Sequence, residues 1–304
     1  MASASCSPPR RNSPDRPARA LPYRLVARET NPEYAGNART RVVEIGPVRV
    51  GGGRPVIIAG PCAVESRAQT LGIARAVKAA GADMLRGGAY KPRTSPYDFQ
   101  GLGRAGLGIL AEARAETGLP IVTEVMDPRL VEETCRFADC LQIGARNMQN
   151  FPLLREAGRS GKPVLLKRHW AATMVEWLCA AEYVAAEGNL DVILCERGIR
   201  TFSQTEYNRS TLDLNVVPAL LKATFLPVIV DPSHGTGVAE LVPAASGAAI
   251  GSGAHGLIIE VIEETTDPRD PLCDGMQSIR PSVLAEIVRR AHLTAAQVPE
   301  QPET

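Results

Sequence analysis

The chain has 304 residues, 44% of them hydrophobic, with 34 Lys and Arg against 33 Asp and Glu for a formal net charge of +1. That balance offers no field for nucleic acid or an anionic membrane surface, so neither is expected as a partner and any need for cations is local. Seven cysteines stand singly, without a CxxC pair, which excludes a disulfide framework and fits a reducing, cytoplasmic setting.

Residues 1–20 are rich in Arg, Ser and Pro, as in Ser7-Pro8-Pro9-Arg10-Arg11, and poor in acids; a disordered tail is expected. They lack the apolar stretch of a secretory signal, and no later run approaches the ~20 apolar residues that span a bilayer. Residues 21–54 read as an N-terminal extension. Tyr23–Ala27 is expected as a short strand, and Arg41–Ile45 with Val48–Val50 as a hairpin. From 55 to 294 strands and helices alternate in the rhythm of a parallel sheet. Strands are expected at Val56–Ala59, Met84–Arg86, Ile121–Glu124, Leu141–Ile143, Val164–Lys167, Val192–Cys195, Val228–Val230 and Leu257–Val261. Ala68–Ala80 and Val131–Phe137 carry the clearest helical spacing between them, and Ser282–His292, entered through Pro281, closes the series. Residues 295–304 are polar and expected to fray. The expected fold class is α/β: a (β/α)8 TIM barrel with a short N-terminal extension and no separate regulatory domain.

The strand ends carry the chemistry: Cys62, Arg86, Glu124, Arg146, Lys167 with Arg168, Glu196 with Arg197, His234 and Glu260. In a barrel these ends meet on one face, where catalysis sits. Arg86, Lys91, Arg93, Arg146, Lys167 and Arg197 would form a cationic ring, which is costly to bury unless anions compensate. Phosphates and carboxylates are the natural counterparts, because guanidinium forks onto both. The loop Lys91-Pro92-Arg93-Thr94-Ser95 packs two cations and two hydroxyls, suited to a second phosphorylated ligand. Cys62, His234, Glu260 and Asp274 combine a thiolate, an imidazole and two carboxylates drawn from distant segments. That mixture suits a catalytic divalent ion, Mn²⁺ first or else Fe²⁺, Co²⁺ or Zn²⁺, more than structural zinc. Such an ion can polarise a carbonyl.

Several runs closely resemble one family. They are Ile58-Ala59-Gly60-Pro61-Cys62, Leu85 to Pro96, Gln142-Ile143-Gly144-Ala145-Arg146-Asn147, Leu165-Leu166-Lys167-Arg168, Cys195 to Arg200, Asp231-Pro232-Ser233-His234 and Asp274-Gly275-Met276-Gln277-Ser278. The chain resembles the short type I (beta) branch of the 3-deoxy-D-arabino-heptulosonate 7-phosphate (DAHP) synthases, which open the shikimate pathway. The resemblance implies a transferase that condenses phosphoenolpyruvate with erythrose 4-phosphate and releases phosphate. It implies Arg86 and Lys167 on the phosphoenolpyruvate carboxylate, and Arg146, Arg197 and the Ala145 N–H on its phosphate. Lys91, Arg93, Thr94 and Ser95 would position erythrose 4-phosphate, with Lys91 also polarising the aldehyde. Cys62, His234, Glu260 and Asp274 would hold the metal, and Glu124 would orient the attacking water. A homotetramer or homodimer is expected.

Two departures stand out. His169 and Trp170 follow the Lys167-Arg168 pair where relatives carry Gly, placing His169 either against the metal and pocket or on Trp170; Ser210 replaces the usual Asn. Before the barrel there are too few residues for the ligand-sensing domain that relatives often carry, so insensitivity to phenylalanine, tyrosine and tryptophan is expected. The nearest rival uses arabinose 5-phosphate on the same barrel, with Lys-Ala-Asn-Arg where this chain has Lys91-Pro92-Arg93-Thr94. A silent sugar-phosphate-binding paralogue is the other, although no ligand or ring cation is missing.

Overall fold

The computed structural model describes residues 21–297, apart from 204, 206 and 207; the expected tail over 1–20 lies outside them. β1 (Val43–Ile45) and β2 (Val48–Val50) form an antiparallel hairpin, Val43 opposite Val50 and Ile45 opposite Val48. Then come β3 (Val56–Gly60), β4 (Met84–Arg86), β5 (Ile121–Glu124), β6 (Cys140–Ile143), β7 (Val164–Lys167), β8 (Val192–Glu196), β9 (Val228–Val230) and β10 (Gly256–Glu260). Each pairs in parallel with the next, and β10 closes back on β3 over five residues, from Gly256↔Val56 to Glu260↔Gly60. This closed eight-stranded barrel is the fold the alternation predicts.

Nine helices surround it among the described residues: α1 (Arg67–Ala79), α2 (Arg104–Thr117), α3 (Val131–Cys135), α4 (Phe151–Arg159), α5 (Met174–Ala185), α6 (Val216–Ala223), the short α7 (Pro232–Thr236), α8 (Val242–Gly251) and α9 (Pro281–Ala295). Their ends follow capping chemistry. Ser66 accepts the Gln69 N–H at the head of α1, and Thr173 with Glu176 makes a capping box at α5. None of these helices is long and apolar enough to cross a membrane.

Three expected elements differ. Tyr23–Ala27 forms no strand and keeps a single bridge, Ala27 to Thr224. The cause is a contact distant in sequence: the Glu182 carboxylate accepts the N–H groups of Arg24, Leu25 and Val26 at 2.7, 2.8 and 3.1 Å, so these donors are not free for a ladder. The helix expected over Val131–Phe137 stops at Cys135 and is preceded by a 3₁₀ turn, Pro128–Leu130, capped by Asp127. The last helix starts one residue earlier than expected, because Pro281 fits its first position, where no N–H is needed, and runs three residues further, to Ala295.

The core has two layers. Outward-facing strand residues such as Ile57, Leu85, Leu141 and Leu194 pack against the helices. Inward-facing Ile58, Met84, Val122, Cys140, Leu165, Ile193, Ile229 and Ile258 fill the barrel, joined by Val43, Ile45 and Val50 from the hairpin. The hairpin therefore stoppers the end where the strands begin. Each such buried aliphatic contributes about 1.5–3 kcal/mol relative to exposure. With that end plugged, the C-terminal ends of the strands open to a cavity.

Candidate active site

A cavity of about 290 Å³ opens over those strand ends. Eight of its lining residues are Arg or Lys and three are Asp or Glu, so filling it with anything but an anion leaves uncompensated positive charge. Arg86, Lys91, Arg93, Thr94, Glu124, Ala145, Arg146, Lys167, Arg197, His234 and Asp274 all reach it. Cys62 and Glu260, 4% and 0% exposed, lie just beneath its floor. Ser95 stays outside, its Oγ accepting the Tyr97 N–H at 3.3 Å within its own turn.

The floor holds the candidate metal ligands. His234 Nε2 lies 3.6 Å from Glu260 Oε1 and 3.9 Å from Asp274 Oδ2, and Cys62 Sγ lies 3.5 Å from Asp274 Oδ2. Donors sharing one tetrahedral ion at about 2.1 Å stand roughly 3.4 Å apart, so this spacing fits a divalent cation. Glu260 Oε1 is buried without a hydrogen-bond partner, although Arg86 Nη1 is 2.9 Å away at a bent angle. Its other oxygen accepts from Gln277 at 2.5 Å. A buried carboxylate oxygen left open beside an imidazole is what a cation would satisfy. Asp274 sits at φ 49°, a left-handed conformation rare outside Gly, which turns its carboxylate inward at the head of the 3₁₀ turn Gly275–Gln277.

Charges set the protonation states. Burial lowers the His234 imidazole below its ordinary value despite the opposing pull of Asp231 and Glu260, so it is neutral. Asp231 Oδ2 lies 2.8 Å from Nδ1, at a bent angle, and favours the tautomer that leaves Nε2 free for a metal. Burial alone would raise the Asp274 carboxyl, but His234, Arg209 and Lys91 outweigh it and hold it at about 2. The same competition, burial against His234 and Arg86, leaves Glu260 below the usual carboxylate range.

Around the floor stand the cations. Arg86 donates to the Cys62 carbonyl at 3.0 Å, and Lys91 Nζ donates to that carbonyl at 3.2 Å and to Cys62 Sγ at 3.1 Å. Lys167 is ion-paired with Asp231 at 2.5 Å. Arg197 is buried, with no carboxylate in ion-pair range among the described residues, and burial pulls its guanidinium below its ordinary value. Glu124 accepts from Gln142 through Oε2 at 3.3 Å, while Oε1 is buried without a partner. Gly144 makes room for that carboxylate: a Cβ there would sit 2.0 Å from Glu124 Oε1.

A family profile described as the DAHP synthetase I family matches residues 30–296. The chain belongs to the DAHP synthetase I family. Similar curated proteins include the phospho-2-dehydro-3-deoxyheptonate aldolase of Thermotoga maritima, 48% identical over 268 residues, 88% of this chain and 76% of the relative. A 2-dehydro-3-deoxyphosphooctonate aldolase of Syntrophotalea carbinolica is 35% identical over 256 residues, 78% of this chain and 90% of the relative. Among solved structures, the Thermotoga maritima DAHP synthase matches with a TM-score of 0.82 and 47% identity over 88% of this chain and 76% of that one. Like its family, this chain is an enzyme.

Not every charged strand end reaches that face. Arg168 turns outward to Glu196 at 3.1 Å and Asp213 at 2.8 Å, so Arg168 and Glu196 tie strands together away from the cavity. His169 lies against Trp170 in a tilted pair, ring centroids 4.2 Å apart, and it is Trp170 that lines the cavity. Trp170 in turn lies under two guanidinium groups, Arg146 at 5.6 Å and Arg200 at 5.2 Å. Sequence reasoning missed Arg200, Asp231 and Cys273. Asp231 and Arg200 lay inside quoted motifs, and Cys273 directly precedes Asp274; adjacency to a candidate ligand was the available signal.

Proposed function

We propose that this enzyme condenses phosphoenolpyruvate with erythrose 4-phosphate and water to give 3-deoxy-D-arabino-heptulosonate 7-phosphate and phosphate, the entry to the shikimate pathway. The observation carrying this reading is one cavity that sets an excess of cations beside His234, Glu260 and Asp274, with Cys62 Sγ 3.5 Å from Asp274 Oδ2 and the Lys91–Thr94 loop at its edge. Both substrates are polyanions, which that lining requires. Arg146, Arg197 and the Ala145 N–H take the phosphoenolpyruvate phosphate, and Arg86 with Lys167 takes its carboxylate. Lys91, Arg93 and Thr94 hold the sugar phosphate, with Ser95 shaping the loop. A divalent ion bound by Cys62, His234, Glu260 and Asp274 would add Lewis-acid polarisation of the sugar aldehyde.

The steps the chain's own groups perform follow from placement. Lys91 donates to the aldehyde oxygen, and the enol carbon C3 of phosphoenolpyruvate attacks the aldehyde carbon. Positive character develops at C2, a water oriented by the open Oε1 of Glu124 adds there, and phosphate leaves by C–O cleavage. Holding two substrates in register is worth on the order of 7–11 kcal/mol at best. The arabinose 5-phosphate reading is favoured by the phosphooctonate relatives, but Pro92, Arg93 and Thr94 replace the loop residues that chemistry uses.

The test is phosphate release by metal-stripped protein with Mn²⁺ restored, comparing the two sugars. Metal-dependent turnover with erythrose 4-phosphate alone is expected; turnover with arabinose 5-phosphate alone would reverse the assignment. The proposal includes insensitivity to the aromatic amino acids, supported by the hairpin's commitment to the barrel floor; inhibition at sub-millimolar levels would overturn it. It also includes a homodimer or homotetramer, supported by the fully exposed Phe202 and Tyr97, to be checked by light scattering.

A further inference from the structure

Cys273 has no part in the reaction as just described, yet it occupies the metal floor. It is buried at 3% exposure, with Sγ 3.0 Å from Cys62 Sγ and 3.7 Å from Asp274 Oδ2. Cys62, Cys273 and Asp274 form one group of potential ligands, with donor atoms within 4.8 Å of one another; His234, Glu260 and Asp274 form another. The two groups share Asp274, so a single ion between them would face both sulfurs. We infer that Cys273 is a second sulfur ligand of this site, giving a bound divalent ion two thiolates in place of one. The inference rests on the metal site proposed above.

Geometry and surroundings both favour it. Two sulfurs on a tetrahedral ion at about 2.3 Å stand roughly 3.8 Å apart, so the pair needs to open by less than about 1 Å. Cys273 is carried on the loop after β10, beside the left-handed Asp274, rather than on a strand. Arg93 Nη1 donates to Cys273 Sγ at 2.7 Å, and a guanidinium is a partner that a thiolate uses and an inert thiol does not need. On coordination each thiol surrenders one proton to solvent, and nothing is oxidised. The bland alternative is that Cys273 merely fills space beside Ala63 and Phe99.

A second thiolate has a chemical consequence. It biases the site toward Co²⁺ and Zn²⁺ and away from Mn²⁺, which prefers oxygen donors. It also couples the metal to Arg93 in the sugar-phosphate loop.

The test loads reduced full-length protein with Co²⁺ and reads the near-ultraviolet sulfur-to-cobalt charge-transfer absorption. Wild type is expected to show about twice the intensity of Cys273→Ser and of Cys62→Ser, and the double variant none. Full intensity in Cys273→Ser, or none in Cys62→Ser alone, would overturn the inference while leaving the metal site standing. Absence of any such band in wild type would bring down the Cys62 assignment as well. Because the variants could fold poorly, X-ray absorption of the Zn²⁺-loaded wild type gives an independent count: two sulfur neighbours support the inference and one overturns it.

Discussion

Lys91 is 8% exposed and has no carboxylate in ion-pair range among the described residues; its ammonium rests on the Cys62 carbonyl and sulfur. A cation buried on such weak acceptors is poised for a stronger one, the oxyanion that develops as the aldehyde is attacked. Lys91→Ala is therefore expected to lower kcat by about 10²–10³, the usual cost of one oxyanion donor, with a smaller change in KM. A rise in KM with kcat unchanged would make Lys91 a simple binding group. Glu124 is tested in two ways. Glu124→Gln keeps the shape but loses the charge, and kcat should fall about 10²–10⁴-fold. Gly144→Ala leaves the carboxylate in the chain but drives a Cβ into its oxygen; kcat should fall in the same direction while the melting temperature of the ligand-free protein moves little. At this scale the sequence was legible wherever a reactive side chain stood at a strand end, because the barrel brings every such end to one face. It was not legible for Cys273, Asp231 or Trp170. Their roles depend on how loops fold back over the face, and no spacing rule encodes that.

At the scale of elements, barrel closure joins β9, β10 and β3 through one residue, His255. Its N–H donates to the Val228 carbonyl at 2.7 Å, its carbonyl accepts the Val56 N–H at 3.0 Å, and its Nδ1 accepts the Val228 N–H at 3.1 Å. Burial pushes the imidazole down to about 4 from 6.5. Between those values the unfolded chain binds the proton and the folded protein does not. The stability this provides is thus fully present above pH 6.5 and is lost as the pH falls toward 4. The slope is about 1.4 kcal/mol per pH unit, an upper bound because His255 is not fully buried. Urea unfolding across that window should show the slope in wild type and a flatter one in His255→Asn, which keeps an acceptor but does not titrate; equal slopes would assign the loss to the buried carboxylates. Element identity was largely readable because the β-branched runs and caps are local. The segment Tyr23–Ala27 was not, because Glu182, some 160 positions away in sequence by numbering, decides its hydrogen bonding.

Across the whole molecule, two arginines next to adjacent strand ends separate structural from functional charge. Arg168 is paired with Glu196 and Asp213 and stacks 5.9 Å from the Trp177 ring, out of the cavity. Arg197, one residue beyond β8, faces the cavity with a 3.5 Å contact to the Gly198 carbonyl and, among the described residues, no carboxylate in ion-pair range. Removing the first strands two carboxylates; removing the second relieves a buried cation that no anion answers until substrate arrives. Arg168→Met should therefore destabilise the free protein by about 3–5 kcal/mol. Arg197→Met should leave its melting temperature unchanged or raised, the expected relation between a strained functional site and stability. The two variants should reverse when phosphoenolpyruvate is added. Ligand at a hundredfold over its Kd stabilises by about 2.7 kcal/mol, or roughly 4 °C for a chain of this size. Arg168→Met should keep that shift as far as it folds, and Arg197→Met should lose most of it. A large fall in the melting temperature of free Arg197→Met would instead make this guanidinium part of the scaffold, and the anion-holding role of the cavity would then have to rest on Lys91, Arg146 and Arg200.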